Sequence, residues 1–255
     1  MVKFIRKIRQ RLLSENKFSK YLIYAIGEII LVVIGILIAL GINNWNENWK
    51  KKDEEKIILI NLNEDLKTDS SQFAYYEQQF KEIDQLHLEL FKLAHEKLAL
   101  DSISEPILMR RLLFFKQLVD IDFKDNLKEI ANLKINNALT NYVRSVQDME
   151  MIYHSHVTPL INDQLKPLLA ENNIYNVNNW FSIKNRSSKD KTYKAMNGKN
   201  LMDKNKLIAL VKTNKFQQLL LELNAQWNDF HARLNIVIEE NIKLRNIIES
   251  ELKDY

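Results

Sequence analysis

Five histidines, an acidic run, a basic loop and one carboxylate inside an apolar stretch are the groups in this 255-residue chain best suited to chemistry. His154 and His156 stand two apart, which puts them on different faces of a helix and suits a shared metal poorly. His87, His95 and His231 could meet only if two long helices align, and they would still need a carboxylate. Asp120-Ile121-Asp122-Phe123-Lys124-Asp125 lacks the glycine and the distal glutamate of a calcium loop, so it reads as an acidic connector. The absence of cysteine excludes disulfides, thiolate zinc sites and a cysteine nucleophile. No Gly-x-Ser-x-Gly, His-Glu-x-x-His or paired-carboxylate pattern occurs. The expectation is therefore no catalytic, cofactor-binding or metal residues, no cofactor and no enzyme activity.

The basic loop carries Lys184, Arg186, Lys189, Lys191 and Lys194 against Asp190, with Trp180, Phe181 and Tyr193 nearby. Such a mixture can hold an anionic partner, a lipid headgroup, a cell-wall polymer or a protein, and it also suits a merely solvated loop. The net charge of +4 misleads about partners. Lys3, Arg6, Lys7, Arg9, Arg11, Lys17 and Lys20 oppose only Glu15 in residues 1–20, a balance of +6, so the remainder sums to −2. A basic tail, not a basic domain, sets the pI, and nucleic acid is not an expected partner.

Glu28 is the carboxylate in the apolar stretch. Tyr21–Ile42 is 22 residues with this single charge, and as a helix it spans about 33 Å, enough to cross a hydrocarbon core of about 30 Å. Tyr21 and Tyr24 flank one edge, and Trp45 and Trp49 the other, as interfacial anchors do. A cleaved signal peptide is the rival, with Ala39-Leu40-Gly41 as a loose cleavage site, but the apolar run and the basic region before it are both long. Gly27, Leu31, Gly35 and Ala39 recur every four residues beside Glu28, which suits close helix–helix association with the carboxyl as polar glue. An ionisable group at that depth also suits proton or ion coupling.

Seven basic residues precede the stretch and Lys50, Lys51, Lys52 and Lys56 follow it. The excess predicts a cytoplasmic tail over 1–20, a transmembrane helix over 21–42, and an extracytoplasmic domain over 43–255, periplasmic in a Gram-negative cell.

That domain must be mostly helical. The chain has four glycines, and Gly198 is the only one beyond the apolar stretch; hairpins, phosphate loops and dinucleotide folds all need more. From Leu59, the positions Leu62, Leu66, Phe73, Tyr76, Phe80, Ile83, Leu90 and Ala94 step by threes and fours, interrupted by Asp69 and His87. This predicts a helix from Asn44 to about Ala99, possible as a stalk continuing the membrane helix. Phe216, Leu220, Leu223, Trp227, Phe230, Leu234, Val237, Asn241, Leu244 and Ile248 form a second seam, suited to antiparallel packing along the first. Between them, Ser104-Glu105-Pro106 predicts a helix start before ILMRRLLFFKQLV. Asp125–Tyr153 predicts one or two helices, and Thr158-Pro159 another start running to about Asn172, kinked at Pro167. Residues 173–200 predict a mobile loop.

The block Phe4–Glu47, FIRKIRQRLLSENKFSKYLIYAIGEIILVVIGILIALGINNWNE, resembles an uncharacterised family of bacterial membrane proteins, the domain-of-unknown-function family 6090. The likeness includes Glu28 within YAIGE and the NNWNE exit. It departs at Gly41, where family members often carry a polar residue, and at KDNLKEIANLKINNALTNY, where they tend to have a serine-glycine turn. The resemblance implies a bacterial inner-membrane anchor bearing a helical domain, and no activity. The fold class expected is all-α: a single N-terminal transmembrane helix followed by an elongated antiparallel helical bundle or coiled-coil-like domain. The role expected is scaffolding or protein–protein interaction, with the lipid bilayer and a homo-oligomer or membrane-protein partner. The alternatives are a sensor-like ligand-binding bundle signalling through a partner, and an ion-coupled stator-like subunit using Glu28.

Overall fold

The computed structural model describes residues 18–97, 99, 103, 105–116, 119, 130–178, 201–253 and 255, with side chains from Leu22 onward except Tyr24. Among these residues every regular element is helical, and the only extended pairing is the isolated bridge between Tyr175 and Met202. The all-α class expected from glycine scarcity and heptad spacing is what the chain adopts. Two units divide it, the first ending at Ile57 and the second, the packed domain, running from Ile58 to Tyr255.

Helix α1 runs from Phe18 to Ala94 as one element. The sequence has no proline or glycine between Gly41 and Ala94 to interrupt it, so the expected membrane helix and the expected long helix share one backbone ladder. It ends five residues short of the expected Ala99. The reason is a hydrogen-bonded stop in which Lys97 N–H donates to the Lys92 carbonyl at 2.9 Å and Glu96 N–H to Leu93 at 3.2 Å. Glu96 occupies the left-handed position of this stop, with φ 58°, where glycine would be the usual occupant.

The second unit is built from α1 beyond Ile58, α2 (Leu133–Ile152), α3 (Lys166–Glu171), α4 (Lys204–Val211) and α5 (Asn214–Leu252). Its register can be read from side-chain pairs. Asn63 meets Glu249, Asn241 donates to the Leu66 carbonyl, Phe80 stacks on His231, Asp84 accepts from Asn224, and Glu96 pairs with Lys212. As residue numbers rise on α1 they fall on α5, so the two are antiparallel, as their seams predict. Asn132, just before α2, reaches Glu251, and Tyr153, just after it, packs on Trp227, so α2 is antiparallel to α5 as well. The seams of α1 and α5 and the buried face of α2 close on one core in which Leu59, Leu62, Leu66, Tyr142, Phe230 and Leu234 are fully covered. Burial of each such side chain contributes about 1.5–3 kcal/mol.

Caps set the starts. The Asn132 side chain accepts from Lys134 N–H, and Thr213 Oγ1 accepts from Phe216 N–H. Thr158-Pro159 does not start a helix. α2 continues through two π-helical stretches, Tyr153–Val157 and Leu160–Leu165, into α3. Thr158 N–H reaches back five residues to the Tyr153 carbonyl, and Lys166 N–H likewise to Ile161. The wider turn takes the carbonyl of the preceding turn off the Pro159 ring, so proline is absorbed without a break.

The helix expected after Pro106 is also absent. A single 3-10 turn, Pro106–Arg110, gives way to extended chain over 111–116. Ser104, its expected cap, lies outside the described residues, and Glu105 takes the cap position without a side-chain hydrogen bond. Of the loop expected over 173–200, residues 179–200 lie outside the described residues, as does the acidic run over 120–125. The loop's base is fixed: Ile174 is fully buried, Asn176 N–H donates to Leu201 at 2.8 Å, and Asp203 N–H to Ile174 at 2.7 Å.

Candidate functional site

Two features stand out when the residues are followed upward into the fold: an uncovered apolar helix and a polar lock within the domain. Hydropathy patterning alone makes the first. Every described residue from Ile26 to Glu54 is exposed, including Ile29, Leu31, Ile36 and Ile42. One helix in the described chain is long and apolar enough to cross a membrane, and it lies near the N-terminus. A core helix of a soluble protein would be largely covered; this stretch is not. It is compatible with a membrane anchor.

Gly27, Glu28, Leu31, Gly35 and Ala39 are all exposed on this stretch. At about 100° per residue, Glu28 falls between Gly35 and Ala39 around the helix, so the carboxyl shares the flank of the small residues. A Cβ built at Gly27, Gly35 or Gly41 would meet nothing within 4 Å. Trp45 and Trp49 are 70% and 60% exposed, large indoles that water does not favour. Tyr21 and Tyr24 are in the α1 backbone, but their side chains lie outside the described residues. Lys184, Arg186, Lys189, Lys191 and Lys194 lie outside them altogether.

The second feature was only half visible in the sequence. The extended chain 111–116, with Val119 beyond it, is held against α1 by side chains. Arg111 bonds Gln79 and Glu82, Lys116 N–H donates to Tyr76 Oη at 3.0 Å, and Val119 N–H donates to Asp69 Oδ2 at 3.2 Å. Tyr76 Oη donates in turn to the Phe114 carbonyl, and Leu113 N–H donates to Tyr153 Oη at 2.6 Å. Tyr142 Oη completes the set, donating to Asp69 Oδ2 at 2.9 Å. Asp69 is fully buried, so these donors supply what water would have supplied. Burial pushes the Tyr153 hydroxyl up to about 12 and raises Tyr142 and Tyr76 too, so all three hydroxyls remain protonated at neutral pH. Phe115 tucks inward against Tyr76, Tyr153 and Phe230, whereas its neighbour Phe114 points out, 84% exposed. Asp69 was legible as a polar break in the seam; Tyr76 read as an ordinary seam aromatic, and Tyr142 and Tyr153 were not singled out.

The histidines do not converge. His87 is buried in the seam with Asn224 at 3.4 Å from Nδ1, and burial lowers its pKa to about 4 despite the nearby Asp84 carboxylate. His231 stacks on Phe80 at 3.9 Å between centroids, and burial lowers its pKa as well. His95 bonds the Phe91 carbonyl, and His154 sits edge-on to Phe115. Among the described residues no three His, Cys, Asp or Glu side chains gather as a metal would need.

Comparison with known proteins finds a likeness to one family over part of the chain. Residues 28–105 match the family of unknown function DUF6090, the family the N-terminal block resembles. The match starts at Glu28, so it leaves the basic tail outside, and it continues past Glu47 through the rest of α1 to Glu105. It covers under a third of the 255 residues. No curated protein and no solved structure matches the chain.

Proposed function

We propose that the chain is a single-pass membrane protein without enzymatic activity, whose helical domain binds or scaffolds a protein partner. In this reading Tyr21–Ile42 crosses a bacterial inner membrane, residues 1–20 are cytoplasmic, and residues 43–255 are periplasmic. The observation that carries it is the uncovered apolar run of α1, whose exposure to water would cost about 25 cal/mol for each Å² of apolar surface. The excess of basic residues before the run supports the orientation. Phe114 supports the partner: it is the most exposed large apolar side chain among the described residues, and the flanking bonds to Tyr76 and Tyr153 hold it in place. Anchors prepaid in this way lose little entropy on binding.

The membrane helix self-associates along Gly27, Leu31, Gly35 and Ala39, with Glu28 as the polar contact. A Cβ at Gly35 meets nothing within 4 Å among the described residues, so Gly35→Leu is suited to probing a contact with another helix. The test is affinity purification of the full-length chain in mild detergent, with mass spectrometry and a size measurement. The expected result is an oligomer weakened by Gly35→Leu and a stoichiometric partner lost with Phe114→Ser. A monodisperse monomer without partners would contradict the reading. The placement of Glu28 in an otherwise uncharged run also favours ion coupling as a second reading. It predicts activity of a partner complex kept by Glu28→Asp and lost in Glu28→Gln; equal behaviour of the two excludes it.

A further inference from the structure

The C-terminal edge of the apolar run carries a stripe that nothing above uses. At about 100° per residue, Trp45, Trp49, Lys52 and Lys56 fall within about 60° of one another around α1. Their spacings of four, three and four residues make each the neighbour of the next on the helix surface. The acidic residues of the stretch stand elsewhere: Glu47 and Glu54 lie about 160° or more from the stripe's middle, and Asp53 and Glu55 about 70–90° to either side. Trp45, Trp49 and Lys52 are exposed and Lys56 is half-buried, and neither lysine has an ion-pair partner among the described residues. Trp45 also borders, with Ala39, Ile42, Asn43 and Asn46, a shallow concavity that lies around the helix from the stripe. The Asn43 amide there bonds Glu47 Oε1 at 2.9 Å.

The direction of the side chains matters. On a helix they lean toward its N-terminus, so Lys52 and Lys56 lean back toward the two indoles and the apolar run. Their ammonium groups then hang over the level at which interfacial tryptophans lie, which is the level of lipid phosphates. Lys50 and Lys51 point about 130° to either side of the stripe and cannot share one headgroup with it.

We propose that this stripe is a binding site for an anionic phospholipid headgroup. Lys52 and Lys56 take the phosphate and the second negative charge, and the Trp45 and Trp49 rings lie along the glycerol region. The proposal rests on the membrane crossing argued above. It commits to lipid as the occupant because apolar run, indoles and cations follow one another along one face in the order in which a leaflet presents chains, glycerol and phosphate. Two lysines near an anionic surface each favour it roughly fivefold before salt screening, so a measurable preference of about twofold or more is expected at physiological ionic strength.

The test uses the full-length chain with Trp180→Phe, reconstituted in vesicles containing either brominated phosphatidylcholine or brominated phosphatidylglycerol at equal mole fraction. Trp227 is shielded in the domain core, so quenching reports Trp45 and Trp49. The account predicts at least twofold stronger quenching by the brominated anionic lipid. That preference disappears in Lys52→Gln/Lys56→Gln and survives in Lys50→Gln/Lys51→Gln, while quenching by the zwitterionic lipid is unchanged in all. Equal quenching by the two lipids in the parent chain overturns the site, as does a preference that outlasts the Lys52/Lys56 change. Quenching by neither lipid overturns the membrane crossing itself.

Discussion

Asp69 is a buried carboxylate that accepts from Val119 N–H and Tyr142 Oη, and so joins the chain beyond Pro106 and α2 to α1. Removing it leaves Val119 N–H and Tyr142 Oη facing each other without an acceptor. Asp69→Ala is expected to cost about 3 kcal/mol or more, and Asp69→Asn less because an acceptor oxygen remains. Tyr153→Phe removes only the acceptor of Leu113 N–H and is expected to cost about 1–2 kcal/mol. Urea unfolding of the full-length protein in micelles, followed by Trp227 emission, measures all three. His87 sets a pH dependence. Its folded pKa of about 4 lies below the unfolded value near 6.5, so the unfolded chain binds the proton first. Its contribution is therefore undiminished above about pH 6.5 and is lost as pH falls toward 4, to a total of about 3 kcal/mol. His87→Gln should flatten that part of the stability profile by about this amount; an unchanged slope would show that His87 is not the group responsible. Both residues could be picked out in the sequence, because each puts a polar group at a seam position. Their partners could not. Val119, Tyr142 and Asn224 come from segments whose placement is fixed by tertiary packing, and Tyr142 sits in a seam where an aromatic needs no special explanation.

Among the elements, the seams of α1 and α5 and their antiparallel pairing were legible, since a three-four repeat sustained over several heptads has only one helical reading. The segment after Pro106 was not. ILMRRLLFF fits a helix as well as a buried extended chain, and the outcome is decided by Tyr76, Tyr153 and Asp69 offering acceptors at the spacing of extended backbone. Pro159 misled for a related reason: a proline usually marks a start or a kink, but two π-helical stretches accommodate it. The stop of α1 was missed because it uses Glu96, not glycine, in the left-handed region. That choice is a cost of about 1 kcal/mol for a side-chain-bearing residue. Glu96→Gly is accordingly expected to stabilise the domain by up to about 1 kcal/mol, since the Lys212 pair it removes is exposed and weak. Thr213→Ala, at the start of α5, should destabilise by about 1 kcal/mol. The same unfolding measurement reads both, and a destabilising Glu96→Gly would mean that the Lys212 contact outweighs backbone strain.

At the scale of the molecule the chain combines an apolar helical run that no described residue covers and a domain that closes its own core. The first makes sense in a lipid environment, because there the exposed isoleucines, leucines and valines meet a solvent as apolar as themselves. The second leaves Phe114 and the helix surfaces free for a partner. The apolar run was the most legible part of the sequence, since length, composition and flanking aromatics agree, and the proposed orientation follows from the lysines and arginines counted on either side of it. It also has the cleanest test, because the chain contains no cysteine. Ser71 is exposed on α1 within the packed domain. A full-length Ser71→Cys protein in cells with a permeabilised outer membrane should react with a membrane-impermeant maleimide before lysis, to the same extent as after it. Labelling that appears only once the inner membrane is broken would place the domain in the cytoplasm and contradict the account.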